Sequence, residues 1–385
     1  MVNEINSFEK SIERLEKASE RINTTKIGID ITGYNSMLES HQQKMASHTR
    51  TIERFENRFE DNTRLLRITS SVVIVLFFTL YTSAGVVAGG KLFESSFGLN
   101  YEWGLYITAG VVVLYTLFGG FLAVSLTDFV QGCIMFVALI LVPAVALYDL
   151  GGVTAVQQSI EQIDPKLVNL FSGVSLIGII SAMAWGLGYF GQPHIIVRFM
   201  AIRSIKDLPT ARRIGMSWMI VSVCGAVATG FVGIAYIAKT GAPLNDAETI
   251  FIILSQLLFH PFIAGFLLAA ILAAIMSTIS SQLLVTSSSL TGDFYQEFLN
   301  KSATEKQLVF AGRVSVLLVA VVAVMLAFDR NSSILTLVSN AWAGFGAAFG
   351  PVIILSLHWK YLSIRATNFG PGVTTLSMVY MKKSS

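Results

Sequence analysis

Long apolar runs separated by short polar segments dominate the chain after residue 66. Each run is close to the ~20 residues that a helix needs to cross the hydrocarbon core of a bilayer. The pattern predicts an all-α polytopic membrane protein, with a shorter interfacial or re-entrant helix near 249–260. Eight apolar stretches are predicted to span the membrane, at 66–90, 104–126, 129–149, 172–193, 214–238, 261–289, 308–328 and 333–357.

Residues 1–54 follow a different, polar pattern. Their apolar residues recur mostly at steps of three and four, which predicts an amphipathic helix of about five turns that ends before Gly28 and Gly33. A second polar helical stretch is predicted for 36–56, so that the segment forms a solvated helical hairpin. The alternatives are a short coiled coil, a surface-lying helix and a foreign leader segment. The apolar positions of the first helix are Ile5, Phe8, Ile12, Leu15 and Ile22.

Composition agrees with a membrane protein, because only 13% of the 385 residues are charged and 53% are hydrophobic. Soluble domains carry about 25% charged residues. The net charge of +3 is too small to indicate a nucleic-acid partner. Basic residues concentrate in alternate loops, such as Arg198 to Arg213 after the fourth stretch, so the positive-inside rule predicts that both termini are cytoplasmic and that the protein resides in the plasma membrane.

The fourth apolar stretch is interrupted by Ala184–His194, which contains three glycines and a proline beside Trp185 and Tyr189. Unwound backbone at membrane depth is tolerated only where it is buried in protein or lines a cavity. The interruption therefore indicates a binding site. The alternative is a helix end at the membrane surface, with the two aromatic residues in the interfacial belt.

Three further features are candidates for chemistry. The sixth stretch carries Ser277, Thr278, Ser281 and Gln282, whose oxygens suit a hard cation such as Na⁺, although small hydroxyl residues also permit close helix packing. Tyr81 places a hydroxyl in the middle of the first stretch, where it needs a polar partner.

Asp128 follows Thr127 at the predicted turn between the second and third stretches, where an acid is either a solvated turn residue or part of a functional cavity. The small-residue segment Ala341–Pro351 is predicted to serve helix packing first and to act as a flexing point second.

The sequence has no P-loop, HExxH or GxSxG motif, and its five histidines are scattered. We therefore expect neither an enzyme nor a bound cofactor.

Together the motifs resemble the solute:sodium symporter family over residues 55–360, which the resemblance identifies as a transporter membrane domain followed by an irregular tail at 361–385. It implies a partial leucine-transporter-like bundle of inverted repeats, with sites at the midplane beside broken helices. The matching phrases are Arg58–Asp61, Phe77–Tyr81, Gly119–Ser125, Trp185–Arg198, Ala273–Leu284 and Ala341–Pro351.

The resemblance also implies a function and residues for it: sodium-coupled symport of proline or a similar small amino acid by a protein embedded in lipid. Ala274 would supply a carbonyl to Na⁺, and Ser277 and Thr278 would supply hydroxyls. Asp128 matches an acid near the ion route. The residues implied for the substrate pocket are Tyr81, Trp185 and Tyr189.

Two departures from the family pattern are expected to matter. In the family, three spans precede the one that begins near Leu66, and the second of them supplies further sodium ligands and groups that hold the polar end of the substrate; here residues 1–54 stand in their place. After Trp359 no further apolar span follows. The sequence thus predicts an incomplete bundle, and a second hypothesis is a truncated relative that no longer transports and acts as a remnant or a membrane interaction module.

Overall fold

The computed structural model describes residues 2–23, 67–169 and 172–358. Residues 1–61 and 62–385 form two separate units. In the first unit, helix α1 (Val2–Asn23) covers the predicted amphipathic segment, and Ile12 and Leu15 on it are exposed. The predicted helical stretch at 36–56 and the tail at 361–385 lie outside the described residues.

The second unit is helical throughout its described part, with no strand there. Its helices are α2 (Arg67–Phe97), α3 (Tyr101–Asp149), α4 (Val153–Ile163), α5 (Leu176–Ala184), α6 (Pro193–Met200), α7 (Leu208–Thr240), α8 (Ile250–Leu258), α9 (Pro261–Ser289), α10 (Glu305–Leu326) and α11 (Ile334–His358). Six helices within the described residues are long and apolar enough to cross a membrane, namely α2, α3, α7, α9, α10 and α11. Short 3₁₀ segments at Pro165–Val168, Trp185–Gly191, Ile205–Asp207 and Ala247–Thr249 and a π-helical segment at Leu290–Leu299 connect them.

Helix α3 is divided at Gly120, whose backbone is not helical (φ 58°, ψ −168°). Only glycine adopts this conformation readily, because it has no Cβ. The Tyr101 hydroxyl donates to the Ala327 carbonyl just after α10, and Asp149 at the other end of α3 contacts Lys239 near the end of α7. Lys239 is in turn close in sequence to Asp246, the partner of Lys91 near the end of α2. Both ends of α3 therefore lie on one side, so the chain reverses at Gly120.

The predicted turn at Thr127–Asp128 is therefore wrong: both residues are helical, and the reversal comes seven residues earlier. An acid next to a threonine resembles a solvated turn in sequence, but this acid faces the protein interior, as described below. With α3 counted as two crossings, the six long helices account for seven of the eight predicted apolar stretches, and the broken segment α5–α6 lies at the remaining one.

In the fourth stretch a 3₁₀ segment separates two short α-helices: α5 ends at Ala184, the 3₁₀ segment covers Trp185–Gly191, and α6 starts at Pro193. Proline lacks an N–H and fits the first turn of a helix, where that donor has no intrahelical partner. Gly191 packs directly on the backbone of α11, since a Cβ at this position would overlap the Phe345 carbonyl. The 3₁₀ segment Trp185–Gly191 and α11 are consequently in close contact.

Helix α9 lies at the centre of the unit and connects two apolar cores. One core joins it to α2, α3 and α10 through residues such as Val86, Leu105 and Ile279. The other joins it to α3, α7 and α8 through residues such as Val142 and Leu267. The hydroxyl-rich part of α9 is therefore surrounded by protein, which is where a polar site in a membrane protein can persist.

The close contact at Gly191 leads to a prediction about stability. Gly191→Ala is expected to lower the free energy of unfolding by about 1–3 kcal/mol, because the added methyl group forces the broken segment away from Phe345. Gly186→Ala is the matched control, since it lies in the same 3₁₀ segment and its Cβ would meet no atom within 4 Å. Denaturant titration in mixed micelles measures both, and equal stabilities for the two variants would contradict the prediction.

Candidate functional site

Four of the seven sequence-predicted site residues line a single cavity of about 540 Å³. They come from three different helices: Tyr81 from α2, Asp128 from α3, and Ser277 and Thr278 from α9. The structure thus brings the predicted ion ligands next to one predicted substrate residue. Other polar side chains that line this cavity are His194, Arg198, Trp218 and Ser281.

The α9 hydroxyls are held by the backbone of their own helix. Ser277 Oγ and Thr278 Oγ1 donate to the Ala274 carbonyl at 3.1 and 2.8 Å. Because their protons are directed to that carbonyl, the two oxygens keep lone pairs that can coordinate a cation in the cavity. Ala274 itself does not line the cavity, and its carbonyl already accepts both hydroxyls, so a role for it as a third ligand requires these protons to turn.

Asp128 is held by an ion pair with Arg198, in which the guanidinium donates to Oδ2. The same Arg198 nitrogen donates to Ser281 Oγ at 2.5 Å, and Ser281 lies 3.3 Å from the Asp128 carboxylate. The Asp128 side chain is only 8% exposed, whereas that of Arg198 is 40% exposed. Asp128 Oδ1 is buried without a hydrogen-bond partner in the described residues, which leaves an acceptor free beside the cavity.

Arg198 was not among the predicted site residues, and Ser281 was named only among the cation-suited oxygens of the sixth stretch, without a role of its own. In sequence Arg198 is simply one of the basic residues after the fourth stretch. Its position at the end of α6 places it in contact with Asp128, which lies 70 residues earlier in the chain. The one available signal for Ser281 was its place among the α9 hydroxyls.

The two remaining predicted aromatic residues, Trp185 and Tyr189, lie in the broken segment and pack on Trp342 of α11 rather than on the cavity. The ring centroids of Tyr189 and Trp342 are 4.7 Å apart in an edge-to-face arrangement, and those of Trp185 and Trp342 are 6.1 Å apart. Tyr81 lines the cavity and also neighbours Trp342 and Tyr189. It therefore links the hydroxyl-lined cavity to the aromatic group of Trp185, Tyr189 and Trp342.

Several buried polar atoms near the break have no hydrogen-bond partner within the part of the chain that the structure describes. They include both amide atoms of Gln192, Nδ1 of His194 and Nε1 of Trp342. Gln192 is completely buried. Such atoms are uncommon in folded proteins and occur where a ligand, an ion or water completes the hydrogen bonding.

A separate cavity of about 890 Å³ is lined by charged residues that are already paired. Lys91 of α2 contacts Asp246 at 2.8 Å and Glu248 at 2.7 Å, and Arg330 contacts Glu94 at 2.9 Å. Burial raises the pKa of Asp246 and that of Glu248, but the Lys91 ammonium more than offsets this, so both pKa values lie below their ordinary range. Because Lys91 satisfies both carboxylates, this network stabilises the contact between α2 and the start of α8 and is no candidate cation site.

Comparison with known proteins identifies relatives for most of the chain. The model of the sodium:solute symporter family matches residues 45–368, and that of a family of unknown function, DUF6730, matches residues 1–71. The osmoregulated proline transporter OpuE of Bacillus subtilis is 61% identical over 309 residues, which are 80% of this chain and 63% of that protein. The high-affinity proline transporter PutP of the same organism is 60% identical over 327 residues, 85% of this chain and 69% of that protein.

The chain therefore spans about two thirds of the length of the curated relatives it matches. Among solved structures, the substrate-bound outward-open state of a Na⁺-coupled sialic acid symporter matches with a TM-score of 0.63 and 19% identity, over 82% of this chain and 72% of that one. At this identity the likeness concerns the fold alone, and it confirms the predicted all-helical membrane transporter fold.

Proposed function

We propose that this chain, which belongs to the sodium:solute symporter family as its motifs predicted, carries out sodium-coupled symport of proline or a similar small amino acid. Its family and its curated relatives are transporters, and we infer that it is no enzyme. Together with the six long apolar helices, membership of this family makes it a multi-pass membrane protein. For its orientation we propose cytoplasmic termini, because the basic loops fall on one side.

The observation that carries the proposal is the shared cavity of Tyr81, Ser277 and Thr278. Coupling between two solutes requires that the binding of each changes the affinity for the other by the same factor. Residues implied for the ion and for the substrate that face one cavity offer the shortest route for such coupling. The relatives named as proline transporters, about 60% identical over most of this chain, favour proline as the substrate.

In this proposal Na⁺ binds the lone pairs of Ser277 and Thr278, and Asp128 lies near the path by which the ion enters or leaves. Tyr81, Trp185 and Tyr189 offer apolar walls to the pyrrolidine ring of proline. Rocking of the helix bundle then exposes both solutes to the cytoplasm. The alternative of a non-transporting interaction module gains no support from the relatives, which are named as transporters and symporters.

Uptake of labelled proline by proteoliposomes that contain the full chain tests the proposal. An inward sodium gradient is expected to drive accumulation above equilibrium, and replacing Na⁺ by K⁺ or collapsing the gradient with gramicidin is expected to abolish it. Equal uptake with and without the sodium gradient would overturn the proposed coupling. A panel of unlabelled amino acids as competitors then identifies the substrate.

A further inference from the structure

Trp342 belongs to the matching phrase Ala341–Pro351 but is not one of the implied site residues, yet it is the centre of the aromatic group at the break. We propose that Trp342 is a substrate-binding and specificity-determining residue, whose indole N–H and the neighbouring Tyr81 hydroxyl together bind the carboxylate of the amino-acid substrate. This inference rests on the proposed function and deepens it.

The position of the Trp342 ring is fixed by the broken segment. Tyr189 meets the ring edge-to-face at 4.7 Å between centroids, and Trp185 flanks it at 6.1 Å. Below the ring lies Gly188, where a Cβ would come within 3.1 Å of Trp342 Cε3. The indole therefore lies directly against the backbone of the break, and its N–H has a defined direction.

This N–H is a donor without an acceptor. Trp342 Nε1 is buried, and no hydrogen-bond partner for it exists within residues 67–169 and 172–358. The Tyr81 hydroxyl lies nearby, but the two groups do not reach normal hydrogen-bond geometry. Indole can only donate, whereas the phenol hydroxyl beside it can both accept and donate. The indole N–H is thus a buried donor that an acceptor on a ligand would complete, and the Tyr81 hydroxyl can donate to the same acceptor.

The chemistry of the donors indicates which part of an amino acid fits there. A carboxylate is the only anionic acceptor in proline, and hydrogen bonds to an ionised acceptor are about twice as strong as neutral ones. The faces of Trp185 and Tyr189 suit the other end of the molecule, because aromatic rings accept both apolar groups and ammonium cations. Both side chains are more than a third exposed, which leaves one side of the aromatic group open to a small ligand.

Removal of the N–H with retention of an aromatic ring tests the inference. In the purified full chain with NaCl present, Trp342→Phe is expected to weaken the binding of labelled proline about tenfold or more. In the same variant, the affinity for prolinamide, which has no carboxylate and is measured by competition with labelled proline, is expected to change less than about threefold. Trp103→Phe is the control, since Trp103 is an exposed residue next to Tyr106 and lies outside the site; its proline affinity should equal that of the parent.

The outcomes separate this inference from the proposed function. If the parent chain binds no proline, the proposed function fails. If the parent binds proline and Trp342→Phe binds it equally well, or loses proline and prolinamide by the same factor, the assignment of Trp342 is overturned. Should Trp342→Phe fail to fold, Tyr81→Phe removes the other donor, and the same selective loss of proline over prolinamide is expected.

Discussion

Replacing Ser277 and Thr278 together with alanine is expected to reduce sodium-dependent proline uptake at least tenfold and to raise the sodium concentration that gives half-maximal uptake. The two hydroxyls line the central cavity, and their protons are directed to the Ala274 carbonyl. Their removal deletes both oxygens from the cavity wall. Because a contact to a charged group contributes roughly 1.5–3 kcal/mol, the loss of two such contacts corresponds to a factor of ten or considerably more in affinity.

A control on the same helix makes this result specific. Ser280→Ala removes a hydroxyl that is completely buried, donates to the Ser277 carbonyl and does not line the cavity. Initial uptake rates at a series of external sodium concentrations in proteoliposomes measure all variants. The sodium site assigned to α9 is wrong if the Ser277→Ala, Thr278→Ala variant keeps the sodium dependence of the parent.

Arg198→Ala is expected to destabilise the protein by about 1–3 kcal/mol. Removing one partner of a buried ion pair leaves an uncompensated charge. Where both partners are fully buried, this removal lowers stability by about 3–5 kcal/mol. Here Asp128 is 8% exposed but Arg198 is 40% exposed, so solvent screens the pair and the lower range applies. Ser281 loses a hydrogen-bond donor in the same variant.

The double variant Asp128→Asn, Arg198→Ala is expected to recover part of this loss, because it removes the unpaired carboxylate as well. Denaturant titration in mixed micelles gives the free energies for the full cycle, and the interaction energy follows from the four values. Arg213→Ala, at an exposed position, is the control and should change stability by no more than about 0.5 kcal/mol. A double variant that is less stable than Arg198→Ala alone would refute the assigned ion pair.

Much of the fold could be predicted because membrane helices are encoded locally. The apolar stretches predict the long helices, and the glycines with Pro193 predict the break at Trp185–Gly191, since both depend on neighbouring residues. The reversal at Gly120 could not be predicted in the same way. Asp128 looked like a turn residue because its partner Arg198 is 70 residues distant, and only the folded chain makes the acid an interior residue.

The same distinction applies to the site. Ser277 and Thr278 are consecutive residues of α9, and their residue types alone marked them as candidate ligands. Consecutive side chains of a helix point in different directions, so their joint position in one cavity depends on the helices packed around α9. Trp342 lies in a small-residue segment that indicates packing, and its contact with Tyr189 arises from the fit of α11 against a segment about 150 residues earlier. Residues whose role depends on such a fit have no signature in the hydrophobic pattern.

The backbone contact of Gly191 with Phe345 limits how the molecule can move. No side chain separates the two segments there, and Gly188 lies against the Trp342 side chain nearby. Sliding one segment along the other would bring backbone atoms at Gly191 into collision, so we expect the break and α11 to move as a single rigid body. For the transport cycle proposed above, we therefore expect flexing at the ends of this body, at Gly173 before α5 and in the connection between α10 and α11.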